Sequence, residues 1–223
     1  MKEYYGVIEE RTSPRDWLGS DIILPRTPQG TDSFKKNGSI QYNQTEVSPV
    51  SCTVHGAMGA YSALTGYEFT LEQRKEIWQE ALNRGANPDK GWYINSAVDL
   101  VRQWVNDNLP IKVSSYRVDI GSFEHLMAYR LGYNVIMGYR GNKTYTEDRE
   151  DNGIIDSTAL IGTTYGHCLH SNYSIGDEYD QIVDSYYPRE TNLYKIPSAN
   201  FKTLVFNRVF FRSGYIFIIK HEA

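Results

Sequence analysis

Apolar residues recur every three or four positions through the middle of the chain and at roughly alternate positions beyond it, and the change falls near Pro110. From Cys52 onward Val54, Ala57, Met58, Ala60, Tyr61 and Leu64 form a small-residue apolar run that Gly66 stops, which predicts a helix over 52–65. Thr70-Leu71-Glu72-Gln73 has the form of a capping box and opens a second helix, 70–83, that ends near Gly85. Ala97, Leu100, Val101, Trp104 and Val105 carry a third over 95–107, closed by Pro110. Beyond Pro110, Ile111, Val113, Tyr116 and Val118 predict a strand, Ser122 to Leu131 a short helix, and 134–139 a buried strand. Gly141 to Gly153 is polar and reads as a loop. Strands follow at 167–173, 179–185 and 215–220, with another candidate at Thr203-Leu204-Val205-Phe206, and 167–173 is expected beside 179–185 as an antiparallel neighbour.

The stretch before these elements is different in kind. Residues 1–43 read as an extended arm, broken by Pro14, Pro25 and Pro28, with Ile22-Ile23-Leu24 as a short strand and Trp17 as a packing anchor. The whole therefore predicts the α+β class: an arm over 1–43, a helical lobe over 44–110 and a mostly antiparallel sheet or barrel over 111–223, with the cleft between lobes as the default site.

Composition narrows the function classes. Hydrophobic residues make up 40% and charged residues 22% of the 223, ordinary values for a globular protein, and the 18 tyrosines bury apolar bodies while keeping a polar tip. A net charge of −4 argues against nucleic acid as a partner. No apolar run approaches membrane-spanning length, and Met1-Lys2-Glu3-Tyr4-Tyr5 lacks the apolar centre of a signal peptide. With only two cysteines, Cys52 and Cys168, no disulfide framework exists. The expectation is a protein of the cytoplasm, or one carried in a particle such as a virion assembled there.

The candidate chemistry centres on Cys52. A thiol on the first residue of a helix feels unpaired backbone N–H groups and the positive end of the helix dipole, both of which favour thiolate. The other reading of Cys52 is a small buried hydrophobe. Activation needs a base, and there are five histidines: His55, His125, His167, His170 and His221. His55 is tied to the Cys52 helix, His125 to the short helix and His221 to the chain end. His167 opens a strand, and strand alternation puts His170 on the opposite face from it. A hairpin between the strands at 167 and 179 would bring Asp184 beside His167. Asp184 also fits a turn cap, and Gln44 fits either an oxyanion-binding amide or a loop residue in water. Cys168 reads as a small core residue. No His/Cys spacing points to a metal, the acidic run at 147–151 reads as a solvated loop, and no cofactor is implied.

Four segments in order resemble the papain-like cysteine peptidases, across nearly the whole chain. Asp16-Trp17, Asn43-Gln44 and Ser51-Cys52 followed by Gly56-Ala57 resemble that family's entry to its nucleophile helix. Gly91-Trp92-Tyr93-Ile94-Asn95-Ser96-Ala97 resembles the glycine turn that lines its cleft. Gly166-His167, then Ile182-Val183-Asp184-Ser185-Tyr186, resemble its base strand and its asparagine-serine-tryptophan strand. Ser213-Gly214-Tyr215-Ile216 resembles its final strand.

The resemblance implies a helical lobe packed on a barrel-like β lobe. It implies hydrolysis of a peptide or isopeptide bond by Cys52, with His167 as base, Asp184 as its orienting partner and Gln44 on the oxyanion. Gly91, Trp92 and Gly166 would line the site for a peptide or protein substrate. The alternative is the same fold as a component of a phage or virus particle, among other subunits, with little activity. The departures are specific. The loop from Gln44 to Cys52 is longer, Pro49-Val50 replaces cysteine-glycine, and Lys90 replaces the first glycine of the turn. Asp184 stands for asparagine, Tyr186 stands for tryptophan, and no pro-segment is recognised.

Overall fold

The computed structural model describes Val7–Ile8, Ile40 and residues 42–131, 133–141, 154–155, 165–172, 179–185, 193–197 and 210–220. The candidate strands at 22–24 and 203–206, the Trp17 anchor, Tyr186, His221 and the acidic run lie outside these residues. Two residues of the arm form β1, Val7–Ile8. The helices are α1 (Cys52–Thr65), α2 (Leu71–Asn83), α3 (Ile94–Asn108) and α4 (Phe123–Arg130). The short strand β2 (Trp92–Tyr93) runs directly into α3. The sheet strands are β3 (Val113–Asp119), β4 (Val135–Gly141), β5 (Tyr165–Asn172), β6 (Tyr179–Val183), β7 (Leu193–Pro197) and β8 (Phe210–Ile219).

The helix signals act where they were expected. Thr70 accepts the Gln73 N–H while Gln73 Oε1 accepts the Thr70 N–H, closing the capping box, and Gly66 ends α1 in the left-handed region at φ 78°. The sheet order is β3-β8-β4-β5-β6-β7, with every pairing antiparallel, β5 against β6 included. Among the described strands it is an open sheet, so the barrel-like description is loose. The last strand begins at Phe210 rather than 215, and β7 lies in a stretch with no alternation to announce it.

One hydrophobic core runs through both halves. Val54, Ala57 and Met58 of α1, Ile77 and Trp78 of α2, and Leu100 and Val101 of α3 join Val113, Ile136, Cys168 and Phe217 of the sheet. Every residue of α1 from Cys52 to Leu64 is buried, because helices flank it on one side and the sheet on the other. Its small residues make that possible. A Cβ added to Gly56 would stand 3.1 Å from the Cys168 sulfur, and one added to Gly59 would stand 2.6 Å from Nε2 of His170. The helix that starts at Cys52 is thus pressed onto β5, the strand that carries His167.

Candidate active site

The approach to Cys52 is a built loop. Gln44–Glu46 form one turn of 3₁₀ helix capped by Asn43, whose Oδ1 accepts the Thr45 N–H at 3.0 Å. Arg74 of α2 holds that turn. Its Nη2 donates to Glu46 at 2.8 Å, its Nη1 donates to the Asn43 carbonyl at 3.3 Å, and its guanidinium lies over the Tyr42 ring. Gln44 is fully buried, which removes the reading of a glutamine in water. Its Nε2 donates to the Pro49 carbonyl at 2.7 Å, its Oε1 accepts from the Ser185 hydroxyl at 2.7 Å, and its backbone N–H donates to the Ser185 carbonyl at 2.7 Å. A carbonyl only accepts, so these partners settle which end of the amide is which and leave one Nε2 hydrogen uncommitted to them.

Ser51 precedes α1 without capping it; its hydroxyl donates back to the Ser48 carbonyl at 2.7 Å. Backbone N–H groups around the Cys52 sulfur, that of Cys168 foremost, favour thiolate. Burial, the largest influence, and the negative charge of Asp184 act the other way, and the net effect raises the thiol above its ordinary range. The helix-end effect read from the sequence is present, and burial outweighs it. In surroundings this dry, a thiolate at Cys52 calls for a cation beside it.

His167 and Asp184 supply the groups for that cation. Both are completely buried, and Nε2 of His167 lies 2.6 Å from Oδ1 of Asp184. The two sit 17 positions apart because β5 and β6 pair as a hairpin and Asp184 follows the last residue of β6. A carboxylate only accepts, so Nε2 carries the hydrogen and Nδ1 is the other basic position of the ring. Tyr139, the partner of His167 in the β4–β5 register, packs edge-on against the imidazole at 5.5 Å. The sulfur reaches this group through the Cys168 N–H, which belongs to the peptide bond just after His167.

No family model matches the chain, and no curated protein matches it. Its fold does match solved structures. Xylellain, a cysteine protease from Xylella fastidiosa, superposes with a TM-score of 0.64 at 14% identity, over 100% of this chain and 97% of that one. Procathepsin B S9 from Trypanosoma congolense superposes with a TM-score of 0.61 at 10% identity, over 99% and 88%. The chain has a papain-like fold.

Within this papain-like frame the segment 87–93 departs from the expected glycine turn. Asn87 Oδ1 accepts the N–H groups of Asp89 and Lys90, and Gly91, at φ 81°, closes the loop by exchanging two 2.9 Å backbone bonds with Asn87. Gly91 therefore spends both its backbone groups on Asn87. The backbone edge that pairs an extended chain is Trp92–Tyr93, where β1 lies parallel with Val7 opposite Trp92 and Ile8 opposite Tyr93. Val7–Ile8 also touches β5. Trp92 is buried and Gly166 partly so.

Sequence reading missed three participants. Ser185, the residue after Asp184, holds Gln44, and its one signal was its place in the Asp184-Ser185-Tyr186 stretch. Arg74 gives no local sign of its 28-residue reach to Glu46. The pairing of Val7–Ile8 lies in an arm whose composition suggested no strand there. Among the described residues no group of three or more His, Cys, Asp or Glu side chains has a metal-holding arrangement, and no helix is long and apolar enough to cross a membrane.

Proposed function

We propose that this papain-like chain is a cysteine hydrolase that cleaves a peptide or isopeptide bond. The observation that carries the reading is the buried His167–Asp184 pair beside the residue whose N–H bonds the Cys52 sulfur. In this mechanism Nδ1 of His167 takes the Cys52 proton while Asp184 balances the imidazolium. The thiolate attacks the substrate carbonyl, and the developing oxyanion accepts from the Cys52 N–H and from the second Nε2 hydrogen of Gln44. The C–N bond breaks, the amine leaves with the proton from His167, and water hydrolyses the thioester to regenerate the thiol. Ser185 positions Gln44 and Asp184 together, so base and oxyanion donor share one support. The alternative of a particle component with little activity draws no support from either structural neighbour.

The test is brief labelling with iodoacetamide at neutral pH, read by mass spectrometry, alongside turnover of a peptide library. Cys52 is expected to label much faster than Cys168, and Cys52→Ala to abolish turnover. Equal labelling of the two thiols would remove the reading.

A further inference from the structure

Behind the Cys52 and His167 positions, the helix and the strand carry a second pair of histidines. His55 lies one turn beyond Cys52 on α1, and His170 lies three residues beyond His167 on β5, on the face turned to α1. Both line a cavity of ≈ 10 Å³, together with Gly59, Tyr42, Val183 and Ser185. Nε2 of each is buried without a hydrogen-bond partner.

Their tautomers follow from their neighbours. Nδ1 of His55 lies 3.0 Å from the Ser51 hydroxyl, whose hydrogen goes to the Ser48 carbonyl, and 3.1 Å from the Ser51 carbonyl oxygen, while Nδ1 of His170 lies 3.2 Å from Oδ1 of Asn134. These oxygens accept, so both Nδ1 atoms carry the hydrogen and both Nε2 atoms present a lone pair. Burial lowers both side chains to about 3, so neither ring gains a second proton near neutral pH. Nε2 of His170 rests on Gly59, on the helix face that His55 shares one turn earlier.

We infer that His55 and His170 together bind one buried water molecule, which donates a hydrogen to each Nε2 and so locks α1 to β5. The cavity volume is about that of a single water, and a water needs two to four polar partners. A metal cation fits poorly, because the lining carries no carboxylate to balance its charge in so dry a place. The second half of the inference rests on the hydrolase reading. By fixing the helix to the strand one turn behind the reacting pair, the bridge sets the spacing of Cys52 from His167, which makes His55 and His170 positioning residues.

The experiment uses the full chain. A high-resolution crystal structure is expected to show water density within hydrogen-bond distance of both Nε2 atoms, and ring ¹⁵N spectra to show both histidines as neutral Nδ1–H tautomers. A dry cavity, a metal, or an Nε2–H tautomer overturns the water. For positioning, His170→Leu removes the acceptor, while His170→Gln puts Oε1 near the place of Nε2. His170→Leu is expected to slow Cys52 alkylation roughly tenfold, as small misplacements of reacting groups do, and His170→Gln to recover most of that rate. If His170→Leu melts lower yet labels like the parent, the pair is structural only. If parent Cys52 labels no faster than Cys168, the hydrolase reading fails instead, and the density still decides the water.

Discussion

In the proposed mechanism Asp184 is the residue whose charge acts in two opposite ways. It opposes ionisation of Cys52 when the thiol stands alone, yet it favours the imidazolium that a thiolate needs beside it. Replacing it separates these roles. Asp184→Asn keeps an acceptor for Nε2 of His167 and is expected to retain substantial turnover. Asp184→Ala leaves a buried imidazole N–H without its acceptor and is expected to lower kcat/KM by roughly 10²-fold or more, read from turnover and from the pH dependence of Cys52 alkylation. If Asp184→Ala alkylates like the parent at every pH, the carboxylate serves stability alone. Histidine burial makes a separate prediction. Burial holds His55 and His170 at about 3 and His125 at about 4, against an ordinary 6.5. The unfolded chain thus takes up these protons first as pH falls, so stability is full above about pH 6.5 and declines toward pH 3, by up to about 1.4 kcal/mol per pH unit for each histidine. Melting curves between pH 7 and 4 should fall less steeply for His125→Gln than for the parent.

At the scale of elements, close backbone approach explains positions that no periodicity ranks. Gly138 sits in β4 where the register against β8 shifts between Met137 and Tyr139. A Cβ there would stand 2.5 Å from the Phe211 ring and 2.9 Å from the Ile94 methyl, with the helix α3 on one side and the sheet on the other. Gly138→Ala is therefore expected to lower stability by roughly 1–3 kcal/mol, seen as a lower denaturation midpoint, whereas the exposed Phe123 should tolerate alanine. An unchanged midpoint for Gly138→Ala would mean that Phe211 and Ile94 give way freely. The same crowding makes α1 a helix buried all round instead of an amphipathic one, and it is the reason two glycines of α1 face Cys168 and His170.

For the whole molecule, the N-terminal arm and the proposed substrate edge are one question. Val7–Ile8 pair with the Trp92–Tyr93 edge and touch β5, so this dipeptide lies between the wall of the helical half and the strand of His167. An extended substrate seeking a backbone partner would compete for the same edge. Deleting residues 1–10 removes β1 and is expected to raise turnover of a peptide substrate while labelling of Cys52 stays at least as fast. The measurement is kcat/KM for both chains, and a deletion that lowers kcat/KM with an unchanged melting temperature would assign β1 a supporting role instead.

Much of this was legible in the residues themselves. Local signals act within a few positions, so the capping box at Thr70, the stop at Gly66 and the switch of period near Pro110 could be read without a structure. The β5–β6 hairpin was equally readable, since two alternating strands with a short separation pair by default. What depended on distant parts of the chain could not be read. The Ser185 hydroxyl meets Gln44 across 141 positions, and that contact turns a loop glutamine into a fixed, buried amide. The ionisation of Cys52 was readable only in part for the same reason. The helix end is a local feature that lowers a thiol, but burial is a sum over everything packed around it, and only the tertiary structure sets that sum.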